Sequence, residues 1–126
     1  MKLRMKRTLA CATAVIGITG GVLLASSSPA AATTNTCTIA FLLATGCSTA
    51  PLPAHNYGHY VRWEVNTVCA ADWKVIDDNT GVTVGHGHVG SDRDGSGTIT
   101  GLYGSRYHLK VYNSCYATFG RIMNDQ

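Results

Sequence analysis

The chain has 126 residues and a formal net charge of +3, from ten lysines and arginines against seven aspartates and glutamates. Four of the bases lie within the first seven residues, whereas all seven acids lie after residue 32. Beyond that point six bases face seven acids, a balance of −1. This balance argues against nucleic-acid binding and against strong attraction to anionic lipid.

The N-terminus predicts a secretory signal. The basic residues precede an apolar run from Leu9 to Leu24, and Ala30–Ala32 supplies the small residues that a signal peptidase requires. We expect cleavage after Ala32, which leaves residues 33–126 as one secreted domain with no membrane association. A membrane anchor is the alternative, but glycines interrupt the run and the cleavage motif is good. So long a signal is similar to those of Gram-positive bacteria.

Four cysteines remain in the domain: Cys37, Cys47, Cys69 and Cys115. An even number in an exported chain indicates two disulfides, and three pairings are open. The chain lacks the Cys-x-x-Cys pairs that a zinc ribbon would need. A domain of this size buries a modest core and gains stability from cross-links.

The first half of the domain combines an apolar run, a loop and an alternating strand. Residues 39–44 are continuously apolar, which predicts an edge strand, with a helical turn as the alternative. Prolines and glycine in 48–58 predict a loop. Apolar and polar side chains then alternate from Tyr60 to Val65, the pattern of a half-buried strand.

The second half repeats short apolar segments between turn signals. Turns are predicted at Asp77–Gly81 and Asp92–Gly97, where Asp, Asn and Gly suit turn geometry. Strands are predicted around them, at residues 73–75, 82–89, 98–102, 107–112 and 117–123. Six or seven short strands with frequent turns predict an all-β sandwich or a small barrel.

One stretch resembles a known family. Ile99–Leu102 followed by Tyr107–Val111 resembles the corner between strands E and F of fibronectin type III domains, where an aromatic hydroxyl can bind the corner backbone. Trp63 matches the Trp of strand B, and Trp73 lies where strand C would begin. The resemblance spans Tyr60–Met123 and implies a small immunoglobulin- or fibronectin-like antiparallel β-sandwich. This chain lacks the family's Pro in the corner, and it carries cysteines where the family normally has no disulfides.

The resemblance also implies a disulfide pairing. Cys69 falls in the loop between strands B and C, and Cys115 falls in the loop between strands F and G. These loops share one end of such a sandwich, so the expected disulfides are Cys69–Cys115 and Cys37–Cys47.

The segment Asp92–Thr100, DRDGSGTIT, resembles the first nine positions of an EF-hand loop. Asp92, Asp94 and Ser96 would supply oxygen ligands for Ca²⁺. However, Tyr103 stands where the closing glutamate should be, and no amphipathic helices flank the segment. The two interpretations are an accessory calcium site and a solvated turn. No other cofactor is expected.

His86 and His88 lie two residues apart, on one face of a predicted strand. Such a pair binds Zn²⁺ or Cu²⁺ if a third ligand arrives, and His55, His59 and His108 are the candidates. The alternative is a pair of exposed histidines on a Gly-rich edge strand.

The function expected from the sequence is non-enzymatic binding. There is no G-x-S-x-G nucleophile motif, and no spacing singles out a pair of catalytic carboxylates. Tyrosines in or beside loops are typical recognition groups, and they are Tyr57, Tyr60, Tyr103, Tyr112 and Tyr116. We expect a monomer that binds an extracellular protein or carbohydrate through the end bearing Cys69, Cys115 and Tyr116.

Two other classes stay open. Size, four cysteines and an all-β pattern are shared with the tendamistat family of secreted α-amylase inhibitors. That family's Trp-Arg-Tyr tripeptide is missing here, because Val61-Arg62-Trp63 has a different order. The alternatives are therefore a secreted inhibitor of an amylase or a protease, and a small extracellular hydrolase.

Overall fold

A computed structural model describes residues 32–125. All regular elements in this range are β-strands, and none of the described residues forms a helix that could span a membrane. The strands are β1 (Thr34–Thr38), β2 (Cys47–Ser48), β3 (Tyr60–Thr67), β4 (Ala71–Asp77), β5 (Thr83–Val89), β6 (Arg93–Thr100), β7 (Tyr107–Tyr112) and β8 (Phe119–Met123). Except for its last residue, the predicted signal peptide lies outside the described residues.

The eight strands form two antiparallel four-stranded sheets, which confirms the predicted two-layer all-β fold. Sheet A has the order β1-β8-β3-β6, and sheet B has the order β2-β7-β4-β5. In the immunoglobulin fold the last strand joins the sheet of strands C and F. Here β8 lies in the other layer, between β1 and β3. The family resemblance stays a prediction.

The predicted alternation in β3 sets the two faces of sheet A. Val61 and Val65 are fully buried, while Arg62 and Asn66 are exposed. In sheet B, Val75 on β4 and Leu109 on β7 are fully buried in the same way. The inward side chains of both sheets form one hydrophobic core.

Two tryptophans join the sheets at the side where β5 and β6 form the edges. Trp63 and Trp73 stack with 3.8 Å between ring centroids. A Cβ atom at Gly97 would lie 2.9 Å from Trp63 Nε1, and one at Gly87 would lie 2.9 Å from Trp73 Nε1. The glycines are therefore needed for close packing, as is common for glycine inside strands.

This packing corrects one prediction. The segment Asp92–Gly97 was predicted to be a turn because of its Asp and Gly content, but strand β6 already begins at Arg93. Only Ser91 and Asp92 turn, and Asp92 has a φ of 55°. The two glycines that follow make room for neighbouring side chains rather than reversing the chain: a Cβ atom at Gly95 would lie 2.6 Å from Val89, and one at Gly97 would lie 2.9 Å from Trp63.

Both expected disulfides are present, with Cα–Cα distances of 5.9 Å for Cys37–Cys47 and 6.2 Å for Cys69–Cys115. The corner contact is also present. The hydroxyl of Tyr107 accepts a hydrogen bond of 2.7 Å from the backbone N–H of Gly104, while its ring is 2 % exposed.

Residues 39–46 form a loop, so the edge strand predicted at 39–44 is wrong. Only Ile39 of this run enters the core, at 1 % exposure. A short, continuously apolar run lacks the alternation that would fix its conformation or its burial. The strands at this edge are instead β1 and β2, on either side of the loop.

Candidate functional site at the disulfide end

The loops of the sandwich gather at two ends. Residues 39–46, 68–70, 90–92 and 113–118 lie at the end that holds Cys69–Cys115, which we call the disulfide end. Residues 53–59, 78–82 and 101–106 lie at the opposite end, which we call the His–Tyr end. The antiparallel registers of both sheets place the loops in these groups.

At the disulfide end, the loop 39–46 presents three consecutive large apolar side chains to solvent. Phe41 is 74 % exposed, Leu42 81 % and Leu43 95 %. The backbone N–H of Ala44 donates to the carbonyl of Phe41 at 3.1 Å, which closes a β-turn with the two leucines at its centre. The three side chains therefore project from a compact turn.

The base of this loop is fixed at several points. The Cys37–Cys47 disulfide closes it, and Ile39 exchanges backbone hydrogen bonds of 2.9 Å with Ala117 and Thr118. The N–H of Ser114 donates to the carbonyl of Thr45, also at 2.9 Å. The loop is thus attached to the segment between β7 and β8, and its apolar tip is displayed on a preorganised base.

Three hydroxyl groups hydrogen-bond to one another at the base of the segment between β7 and β8. Thr67 Oγ1 lies 3.2 Å from Ser114 Oγ and 2.9 Å from Thr118 Oγ1, and the last two oxygens are 2.8 Å apart. Thr67 and Thr118 are buried, so these hydrogen bonds satisfy polar groups that water does not reach.

Two further large side chains are exposed at this end. Val68 is 61 % exposed and Tyr116 is 50 % exposed. Next to Tyr116, Ala117 has a φ of 75°. Residues other than glycine rarely adopt this conformation, and such backbone strain clusters at functional sites. The disulfide end therefore combines exposed apolar side chains with a strained segment held in place.

At the His–Tyr end the aromatic rings contact one another. The ring of His55 stacks on that of Tyr60 with 4.8 Å between centroids, and the ring of His59 lies 4.3 Å from that of Tyr103. His55 Nδ1 accepts hydrogen bonds from the backbone N–H groups of Tyr57 and Gly58, at 3.2 and 2.8 Å. Here the histidine organises its own loop.

A groove of about 240 Å³ lies at this end, with His55, His59, Leu102 and Tyr103 among its lining. Pockets that hold a typical drug-sized ligand have volumes of roughly 300–1,000 Å³. The groove is smaller than these, and its lining includes two histidines, a tyrosine and a serine but no carboxylate, lysine or arginine.

The structure separates the five tyrosines predicted to bind. Tyr57, Tyr60 and Tyr103 lie at the His–Tyr end, and Tyr116 lies at the disulfide end. Tyr112 closes β7 on the outer face of sheet B, where its ring lies 5.5 Å from Lys74 Nζ. These residues therefore do not form one surface.

The calcium candidates lie on an extended segment. Asp94 and Ser96 share the outer face of β6, and Asp92 precedes it in the turn. Asp94 Oδ1 accepts a hydrogen bond of 2.5 Å from Asn66 Nδ2. An EF-hand loop curls around its ion, and an extended strand does not. An accessory calcium site at Asp92, Asp94 and Ser96 stays a prediction.

His86 and His88 share the outer face of edge strand β5, as expected. His88 Nδ1 lies 2.7 Å from Asp72 Oδ1. Within residues 32–125, no three His, Cys, Asp or Glu side chains are grouped so that they could hold a metal ion. The third ligand considered for this pair is therefore not supplied by His55, His59 or His108.

The chain matches no protein-family model and no curated protein. Its function must therefore be inferred from its own surface.

The sequence interpretation missed Phe41, Leu42 and Leu43, because it assigned them to a strand. A usable signal was present: these residues lie in an uncharged segment between two cysteines ten positions apart. Such spacing is typical of a displayed loop as well as of a local cross-link.

Proposed function

We propose that this protein is a small secreted, non-enzymatic binding module that docks its disulfide end into an apolar groove of another extracellular protein. The observation that carries the proposal is the exposed turn of Phe41, Leu42 and Leu43 on a loop closed by Cys37–Cys47. Contiguous exposed apolar side chains on a soluble protein mark interaction sites.

The energetics support this use of the loop. Burying a large apolar side chain contributes roughly 1.5–3 kcal/mol, so three such residues can act as the central anchors of an interface. Because the disulfide and the backbone hydrogen bonds hold the base of the loop, little conformational entropy is lost on docking. Val68 and Tyr116 would extend the contact around these anchors.

The proposed extracellular location is supported by two features. The N-terminal sequence has the basic, apolar and small-residue regions of a signal peptide. The described residues contain two disulfides, which form and persist in oxidising compartments.

The experiment that tests the proposal is affinity capture with matched variants. The disulfide-bonded protein is tethered through its C-terminus, since Met123 ends β8 at the end away from the apolar loop. Culture filtrate and cell-wall extract are then passed over the wild type, over Phe41→Ser/Leu42→Ser/Leu43→Ser, and over Tyr57→Ser/Tyr103→Ser. We expect a protein retained by the wild type and the tyrosine variant, and lost with the loop variant.

Melting temperatures serve as the control, because the exposed loop side chains add little to stability and the triple variant should fold normally. Retention by the loop variant together with loss by the tyrosine variant would contradict the proposal and would move the binding site to the His–Tyr end.

A second candidate is a secreted hydrolase inhibitor, and the disulfide-closed convex loop favours it. Protease–inhibitor interfaces are preorganised in this way, and the apolar tip would suit an apolar specificity pocket. Inhibition assays against proteases of apolar specificity and against α-amylases test it directly. Inhibition that is lost with the triple loop variant would identify the partner as an enzyme.

A further inference from the structure

The outer face of sheet B carries a row of basic side chains in register. Lys74 on β4 lies directly opposite Lys110 on β7, and on its other side directly opposite His86 on β5. Neighbouring strands are separated by about 4.8 Å, so the three positions span roughly 10 Å. Like charges directly opposite each other destabilise a sheet, so this row costs stability in the absence of a counter-charge.

The lysines of the row have no ion pair with a carboxylate among the described residues. The nearest acid on this face is Asp72, and His88 and Asn113 already occupy its two oxygens, at 2.7 and 2.9 Å. The ring of Tyr112 lies below Lys74 Nζ and holds that side chain over the sheet by a cation–π contact.

The outer face of sheet A shows the opposite arrangement. Arg62 pairs with Asp125 at 2.7 Å, and Arg121 pairs with Glu64 at 2.6 Å. The hydrogen bond and the charge of Asp125 raise the pKa of Arg62. The small net charge of the domain therefore conceals an asymmetry: arginines are neutralised on one face, and lysines are left without counter-charge on the other.

We infer that the outer face of sheet B is a second binding surface, specific for a polymer that carries phosphate groups. Lysine is a common phosphate ligand that acts as a point charge, whereas arginine makes a two-pronged contact to phosphate and carboxylate alike. The row itself contains no arginine. Tyr112 lies under Lys74 and is not free to stack on a base, which favours a non-nucleic polymer.

The charges around the row sum to a positive value. The face and its margin at the His–Tyr end carry Lys74, Lys110 and Arg106 against Asp72 and Asp78, a net charge of +1. His86 is in the row, and His88 and His108 lie beside the two aspartates.

Titration with short-chain linear polyphosphate tests the inference. At low ionic strength we expect binding to the disulfide-bonded protein that weakens as salt is added. The double variant Lys74→Gln/Lys110→Gln should weaken binding about tenfold. It should also lower the slope of log affinity against log salt concentration by about one for each lysine. Without polymer, the melting temperature of this variant should be equal to or above that of the wild type.

The matched control is Arg62→Gln/Arg93→Gln, which removes the same charge from the sheet A side and should leave the affinity unchanged. Equal weakening by the two double variants would overturn the site, as would an absence of binding at low ionic strength. Tighter binding of polygalacturonate or of a single-stranded oligonucleotide would overturn the assignment to a phosphate polymer.

Discussion

The two ends of the sandwich both expose large side chains, but they use them differently. At the His–Tyr end, the ring of His55 stacks on Tyr60, the ring of His59 contacts that of Tyr103, and the hydroxyl of the buried Tyr107 binds the corner backbone. At the disulfide end, Phe41, Leu42 and Leu43 project from a turn whose base, rather than its tip, is held by the fold.

The difference teaches that exposure alone does not identify a binding surface. Rings that contact one another, or that order their own loop, already have a structural role at the His–Tyr end. Apolar side chains without such a role leave water-exposed area that only a partner can bury. For this reason the proposed protein-binding site is the disulfide end.

The largest expected effect concerns the two disulfides. Cys69→Ala/Cys115→Ala opens a closed loop with a sequence separation of 46 residues, which should lower the free energy of unfolding by about 4 kcal/mol. Cys37→Ala/Cys47→Ala opens a separation of 10 residues and should cost about 2.5 kcal/mol. Urea denaturation followed by tryptophan fluorescence measures both.

The loss of partner capture should have the opposite order to the loss of stability. Loss of Cys37–Cys47 frees the base of the apolar loop, so it should weaken capture more than loss of Cys69–Cys115 does, in samples that are still folded. If capture survives without Cys37–Cys47, preorganisation of the loop is not needed and the contrast between the ends weakens.

A smaller effect is expected at the His–Tyr end. Tyr107→Phe removes the hydroxyl that accepts the hydrogen bond of Gly104 and leaves a partly buried N–H without its partner. The expected cost is about 1–3 kcal/mol of unfolding free energy, measured by urea denaturation. Capture by the disulfide end should be unchanged. A large loss of capture in the folded variant would mean that the two ends are coupled.

The smallest expected effect is a pH dependence of the free energy of unfolding, which arises from Asp72 near the disulfide end. The hydrogen bond from Asn113, followed by that with His88, lowers the pKa of Asp72 below its ordinary 3.8. Stability from this carboxylate is therefore present above pH 3.8 and is lost as the pH falls through the lowered pKa. We expect Asp72→Asn to flatten the acid limb of a plot of unfolding free energy against pH. An unchanged acid limb would contradict this.

Much of the fold was predictable because the relevant signals are local. The alternation from Tyr60 to Val65 places strand β3, and Tyr107 at the head of another alternating run gives the corner. The disulfide pairing followed from the family resemblance, since the corner orders the loops that bring Cys69 and Cys115 to one end.

The rest depends on contacts that a sequence does not state. The glycines of β6 resembled a turn, because the side chains that require them, Val89 and Trp63, lie on other strands. The apolar run at 39–44 resembled an edge strand, because composition cannot show which side chains face water. The row of Lys110, Lys74 and His86 arises only from the registers of three strands.

Site-specific photocrosslinking tests the central claim most directly. A benzophenone amino acid is placed at Leu42 or at Tyr103, both highly exposed side chains at opposite ends of the domain. Each protein is irradiated in the culture filtrate or extract that contains the captured partner. We predict a crosslinked adduct from position 42 and none from position 103. An adduct from position 103 with none from position 42 would contradict the assignment of binding to the disulfide end.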